Sequence, residues 1–196
     1  KPINVGEKLL IRPLWIDDYE NPTGRKVLSI EPGLAFGTGG HDTTRLCLEM
    51  CEKYLKDGDS VLDTGCGSGI LAIACLLLGA KNAVGVDIDE LAVKTAIENG
   101  KVNGFSEPEY RILEGNLTDK VTGKFDLVVA NIVADVIIMF SDFVGDFMND
   151  GAHFIVSGII APRADEVKAA LKKNNFRIVE ENRNGDWLCY VLEKAQ

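Results

Sequence analysis

The residues with the most chemistry to offer stand together in Val61-Leu62-Asp63-Thr64-Gly65-Cys66-Gly67-Ser68-Gly69, an apolar run ending in a glycine-rich turn that passes straight into the apolar stretch 70–78. Gly65 and Gly67 allow a tight turn and bring backbone close to a ligand with no side chain in the way. A helix starting behind them presents unpaired N–H groups. Together these make a nucleotide-binding context. At 22 residues beyond Gly65, the next apolar segment ends in Val86-Asp87-Ile88-Asp89. Asp87 is thereby placed where a carboxylate accepts hydrogen bonds from both hydroxyls of a ribose. A dinucleotide fingerprint needs a glycine at the sixth position of the turn, but that position is Ile70 and the spacing is G-x-G-x-G.

The other reactive side chains read more plainly. Asp89 is expected as the N-cap of a helix over 90–102. Cys47, Cys51, Cys66, Cys75 and Cys189 make an odd count scattered through apolar segments, which suits reduced thiols in a cytoplasmic protein better than a disulfide framework. Cys47 and Cys51 are spaced i, i+4, yet only His41 and His153 exist to complete a metal site, so they read as small buried apolar residues and no metal is expected. His41, in a glycine-rich loop, reads as an orienting hydrogen bonder without a catalytic role. His153 reads as a surface residue, and Trp15 and Trp187 as packing residues.

Those residues have to be held by elements, and hydrophobic periodicity supplies them. Strands are predicted at 27–30, 60–63, 83–87, 110–114, 127–131, 152–157, 176–181 and 187–192, with a further strand-like run at 8–15. Helices are predicted at 43–56, 69–78, 90–102, 134–147 and 163–173. Strand and helix in alternation mean an α/β fold with a doubly wound, mostly parallel sheet covered on both faces. Asn184-Gly185 between two alternating runs predicts a closing antiparallel hairpin. Such an ending is the arrangement of Rossmann-like methyltransferases, whereas nicotinamide dehydrogenases usually continue all-parallel. We divide the chain into an N-terminal extension, 1–26, rich in β-type residues, and a catalytic domain, 27–196. The first residues, Lys1-Pro2, read as following an upstream part that is missing.

Composition narrows the partners. A net charge of −9, from 21 basic and 30 acidic residues, leaves no basic stripe for phosphates and argues against direct nucleic-acid binding. The longest apolar run, 70–78, falls short of the ~20 residues a membrane helix needs, and no signal peptide is visible. With 46% hydrophobic residues, the chain is expected to fold as one domain burying about 70% of its unfolded surface.

The segment Asp63 to Gly69 resembles the first motif, D-x-G-x-G-x-G, of class I S-adenosylmethionine-dependent methyltransferases. A narrower resemblance is carried by Glu31-Pro32-Gly33-Leu34-Ala35-Phe36-Gly37-Thr38-Gly39-Gly40-His41-Asp42-Thr43-Thr44, which is similar to D-P-G-[ML]-A-F-G-T-G-T-H-P-T-T of the PrmA-type methyltransferases. It continues through Val128-Val129-Ala130-Asn131-Ile132-Val133-Ala134 and Ser157-Gly158-Ile159, and so covers nearly the whole chain. Glu31, Gly40 and Asp42 depart from the pattern. Gly40 removes a hydroxyl and adds flexibility, and Asp42 can serve as a helix cap.

The resemblance implies a seven-strand class I fold and a family that methylates ribosomal protein L11. It also implies a separate N-terminal domain recognising that substrate, so this chain would be the catalytic part alone. Cofactor binding is implied at Thr44, Gly65, Asp87 and Asn131, with Thr44 offering its hydroxyl to the methionine carboxylate. Gly67 lends backbone access, and Phe36 and Thr38 pack over the cofactor. Asp63 bonds either the turn's own backbone or the amino-acid end of the ligand, and Asn116 is placed at the adenine edge. Asn131 is the catalytic candidate, accepting N–H bonds from the acceptor amine; the competing reading is an Asn that ends a strand by bonding local backbone. A lysine amine, with an ordinary pKa near ~10.4, has to be held neutral to react. The alternatives are a class I methyltransferase with another protein or small-molecule acceptor, a nicotinamide-dependent oxidoreductase, and a cofactor-binding module without catalysis.

Overall fold

The computed structural model describes residues 1–30 and 40–196, with side chains from Asp42 onward in the second stretch. The chain opens with a small sheet of β1 (Ile3–Val5), β2 (Leu9–Pro13) and β3 (Lys26–Ile30), in which β2 runs antiparallel to β1 and parallel to β3. Next come α1 (Gly40–Tyr54), β4 (Ser60–Thr64), α2 (Ile70–Leu77), β5 (Asn82–Asp87), α3 (Glu90–Val102), β6 (Tyr110–Glu114) and β7 (Phe125–Asn131). The chain continues through α4 (Ala134–Ser141), β8 (Met148–Ile160), α5 (Ala164–Lys173), β9 (Phe176–Asn184) and β10 (Trp187–Lys194). The main sheet has the order β6-β5-β4-β7-β8-β10-β9, parallel except that β10 is inserted antiparallel between β8 and β9.

The two faces of this sheet follow from the period of two along each strand. Val61, Leu127, Val129, Ile155 and Val191 point to one side, where α1, α2 and the apolar residues of the small sheet close over them. Leu62, Val128, Phe154, Val156 and Tyr190 point to the other, against Ile137 and Phe140 of α4 and Val167 and Leu171 of α5. The α2 residues Ile70 to Leu76 are all buried, because this helix lies between the sheet and the small sheet with no solvent face. On the second face Phe140 meets Phe154 edge-on at 5.7 Å, and Phe154 meets Phe176 at 5.7 Å.

The expected doubly wound sheet with a terminal hairpin is present. Gly185 and Asp186 form its two-residue turn, closed by Asn184 pairing with Trp187. Other expectations need correction. The strand predicted at 27–30 belongs to the small sheet, because Leu28 and Ile30 bury beside β2 rather than on the main sheet's edge. The helix predicted over 134–147 stops at Ser141, whose hydroxyl turns back to the Ile138 carbonyl, and a separate 3-10 turn covers Val144–Phe147. α1 begins at Gly40, so Asp42 sits inside its first turn, where it favours the helix dipole, and is not the cap. Trp15 is 66% exposed rather than packed, since β2 ends at Pro13. His153 is not a surface residue: it lies half-buried on β8, bonded to Glu193 at 3.1 Å and tilted against the Tyr54 ring. Trp187 packs on the core as expected, and all five thiols are free and buried.

Candidate functional site

Parallel strands leave their carboxyl ends on one edge, and the direction of winding reverses between β4 and β7, so a crevice opens there. The glycine turn leaves β4 at this point. Gly65 has φ 66, and a Cβ on it would stand 2.6 Å from Cγ2 of Ile132, so only glycine lets the turn pass beneath the segment after β7. Gly67 faces open space.

Asp87 ends β5, and its Oδ2 accepts the Gly67 N–H at 2.8 Å while Oδ1 accepts the Asp89 N–H at 3.0 Å. The carboxylate therefore fixes the glycine turn, and each oxygen keeps capacity to accept a further hydrogen bond. Asp89 caps α3 as expected, accepting the Leu91 N–H at 3.0 Å. Beside it Ile88 and Leu91 stay exposed at 73% and 64%, an apolar surface at the mouth of the crevice that sequence reasoning missed. Its signal was a large apolar residue between two aspartates just beyond a strand end. Asn116 lies exposed in the turn after β6 on the same edge, its N–H donated to Asp119.

Asp63 lies beneath the turn, fully buried, and neither carboxylate oxygen has a hydrogen-bond partner among the described residues. Burial pushes its pKa up to about 8; the neighbouring Ala72 N–H, although it makes no hydrogen bond of good geometry, opposes the rise, and the Asp87 charge adds to it. Bonding to the turn's backbone, one of the two roles expected for Asp63, is not observed.

Asn131 and Thr44 meet although 87 residues separate them: the Asn131 Nδ2 donates to the Thr44 Oγ1 at 3.2 Å. That bond leaves the Thr44 hydroxyl proton free to be donated onward. It also turns the Asn131 Oδ1 toward the backbone of Gly158, where Ile132 O stands close as well. Neither oxygen has a donor among the described residues. Both carbonyl oxygens, at the end of β7, can therefore accept N–H bonds. The strand-ending alternative for Asn131, a bond to local backbone, is not what its amide makes. Phe36, Thr38 and the side chain of His41 lie outside the described residues. The crevice thus gathers Gly65, Gly67, Asp87, Thr44 and Asn131 on one edge, with Asp63 below.

A second cavity, of about 600 Å3, lies at the opposite edge of the sheet. Two of the side chains lining it, His153 and Arg177, are bonded to a third, Glu193.

The family model described as "Ribosomal protein L11 methyltransferase (PrmA)" matches residues 1–195. Curated relatives described as ribosomal protein L11 methyltransferases include one from Clostridium botulinum (strain Eklund 17B / Type B), 46% identical over 193 residues, and one from Clostridium perfringens (strain SM101 / Type A), 47% identical over 194 residues. Each match takes in 98% of this chain and 61% of the relative, so the chain spans about three-fifths of the length of these proteins. Among solved structures, a ribosomal protein L11 methylase from Lactobacillus delbrueckii subsp. bulgaricus superposes with a TM-score of 0.92 at 32% identity, covering 100% of this chain and 98% of that one. An S-adenosylmethionine-dependent methyltransferase from Clostridium acetobutylicum ATCC 824, 13% identical, shares the fold with a TM-score of 0.64 over 79% of this chain and 91% of that one.

Proposed function

The chain belongs to the ribosomal protein L11 methyltransferase (PrmA) family, and on that premise we propose that it transfers methyl groups from S-adenosylmethionine to amino groups of ribosomal protein L11, on lysine side chains, the N-terminal amine, or both. Membership sets aside the nicotinamide oxidoreductase. The observation that carries the proposal is the pair of oxygens at the end of β7, Asn131 Oδ1 and Ile132 O, that lack a donor among the described residues.

The crevice suits this cofactor. Asp87 takes the ribose hydroxyls on its remaining lone pairs, and the open face of Gly67 admits the ligand to the backbone. Thr44 donates its free hydroxyl proton to the methionine carboxylate. Asp63 is assigned to the ammonium of the amino-acid end, the partner its oxygens lack among the described residues. Phe36 and Thr38 are proposed to pack over the cofactor.

When bound, S-adenosylmethionine supplies a methyl group already activated on a sulfonium, so the protein's own task is alignment. Asn131 and Ile132 each accept one N–H of the neutral amine, which leaves its lone pair free to be aimed at the methyl. An ammonium has no lone pair to aim, so only the neutral form of a group that is mostly protonated at pH 7 can react, and the positive charge of the sulfonium beside it disfavours the ammonium.

Residues 1–26 are proposed as an extension fixed to the 27–196 methyltransferase domain by the pairing of β2 with β3 and by buried Leu9 and Ile11. Recognition of the ribosomal protein is assigned to the part of the relatives that this chain does not span. No helix among the described residues is long and apolar enough to cross a membrane. We place the reaction in the cytoplasm, where buried free thiols stay reduced.

The test is the intact mass of ribosomal protein L11 after incubation with S-adenosylmethionine and the full-length protein. Increments of one methyl group are expected, mapping to amines. No increment in a preparation that binds S-adenosylhomocysteine would refute the acceptor and leave another protein or small molecule in its place.

A further inference from the structure

β8 carries a bulge beside the crevice. Leu188 pairs with Ile159 and Tyr190 with Val156, so Ser157 and Gly158 together face the single residue Cys189. The two bulged residues hold different parts of the site. Ser157 is fully buried, and its hydroxyl donates to the Thr43 carbonyl at 2.8 Å, tying the first turn of α1 to the sheet one residue before Thr44. Its own carbonyl accepts the Ile132 N–H at 3.2 Å.

Gly158 has φ 87, and a Cβ built there would lie 2.8 Å from Ile132 O and 3.2 Å from Asn131 Oδ1. The backbone oxygen at 2.8 Å cannot give way without moving the chain after β7. A side chain at 158 would therefore push into both oxygens assigned to the amine.

We propose that Ser157 and Gly158 are positioning residues that build the two halves of the site from one bulge, Ser157 setting Thr44 for the cofactor and Gly158 leaving room for the two amine-accepting oxygens. This rests on the functional reading given above. Neither residue touches cofactor or acceptor; each acts through its neighbour.

Adjacent residues with separate tasks must give separate kinetic signatures, which a purely structural role would not. The full-length protein is assayed by calorimetry with S-adenosylhomocysteine and by steady-state methyl transfer to ribosomal protein L11. Gly158→Ala is expected to lower kcat on the order of 100-fold while the S-adenosylhomocysteine Kd stays within about twofold. Ser157→Ala is expected to raise that Kd about tenfold and to lower kcat less than Gly158→Ala at saturating cofactor. Both variants unchanged, or both shifting Kd and kcat in the same proportion, would overturn the inference while wild-type activity keeps the functional reading intact. A wild type that binds S-adenosylhomocysteine but transfers no methyl to any amine refutes that reading and this one with it. Should Gly158→Ala fail to fold by circular dichroism, Ser157→Ala decides alone, an unchanged Kd overturning the division of tasks.

Discussion

Replacing Asp63 with asparagine tests the electrostatics of the site floor without any assay of activity. The side chain is fully buried and unpaired among the described residues, and its carboxyl titrates near 8 instead of the ordinary 3.8. Between those values the folded protein holds a proton that the unfolded chain has released, so the contribution of Asp63 to stability is greatest below pH 4 and falls as pH rises toward 8. At about 1.4 kcal/mol per pH unit, the gap sets a ceiling of about 6 kcal/mol, and the loss from pH 5 to pH 8 is about 4 kcal/mol. That is a large part of a typical folding free energy of about 5–15 kcal/mol. In the Asp63→Asn variant the amide carries no such proton and imposes a constant offset, so the quantity to follow is the difference in unfolding free energy between the variant and wild type. Urea denaturation at several pH values should show that difference growing in the variant's favour from pH 5 to pH 8 and levelling off above. Groups that titrate alike in the variant and in wild type cancel from this difference. Glu166, Glu180 and Glu193 are held below the ordinary carboxylate value by Arg163, Lys53 and Arg177, while the buried thiols of Cys47, Cys51, Cys66 and Cys75 are pushed well above theirs. A difference that stays flat across the range would show that Asp63 is paired, and the reasoning would fail.

Three further outcomes are expected. Asp87→Ala removes the acceptor of the Gly67 and Asp89 amides as well as the proposed ribose ligand, and should weaken S-adenosylhomocysteine binding about 10- to 100-fold in calorimetry; unchanged affinity would take Asp87 out of the site. Asn131→Ala should lower kcat for methyl transfer on the order of 100-fold or more with a smaller change in cofactor affinity, and an undiminished kcat would leave the amine-binding role without support. Phe154→Ala empties a fully buried position between Phe140 and Phe176 and should cost about 3–5 kcal/mol in urea denaturation, whereas a cost below about 1 kcal/mol would mean that α4 collapses into the space.

Much of this protein is local and was therefore legible in its sequence. The glycine turn, the acid at the end of the following strand, the Asp89 cap and the closing hairpin each depend on residues a few positions apart, where steric rules and hydrogen bonding act within one turn or one strand. The order of strands and helices follows from hydrophobic period in the same way. Boundaries failed where a non-local contact intervened. The predicted helix over 134–147 broke after Ser141, where Asn174 of the distant α5 end donates to the Ser141 hydroxyl. His153 was drawn inward by Glu193 on a neighbouring strand, and Trp15 lost its packing because its strand ended early.

The sequence by itself determined the elements and the residue types that a nucleotide-binding crevice needs, because these are dictated by chemistry within a few residues. Only the tertiary structure decided that Thr44 meets Asn131 across 87 positions and that Ser157 ties down Thr43 across 114. Sheet order sets those distances, by placing β4, β7 and β8 side by side, and no local period carries that order. The same holds for Asp63, whose type is plain in the motif while its burial without a partner among the described residues depends on every layer folded over it.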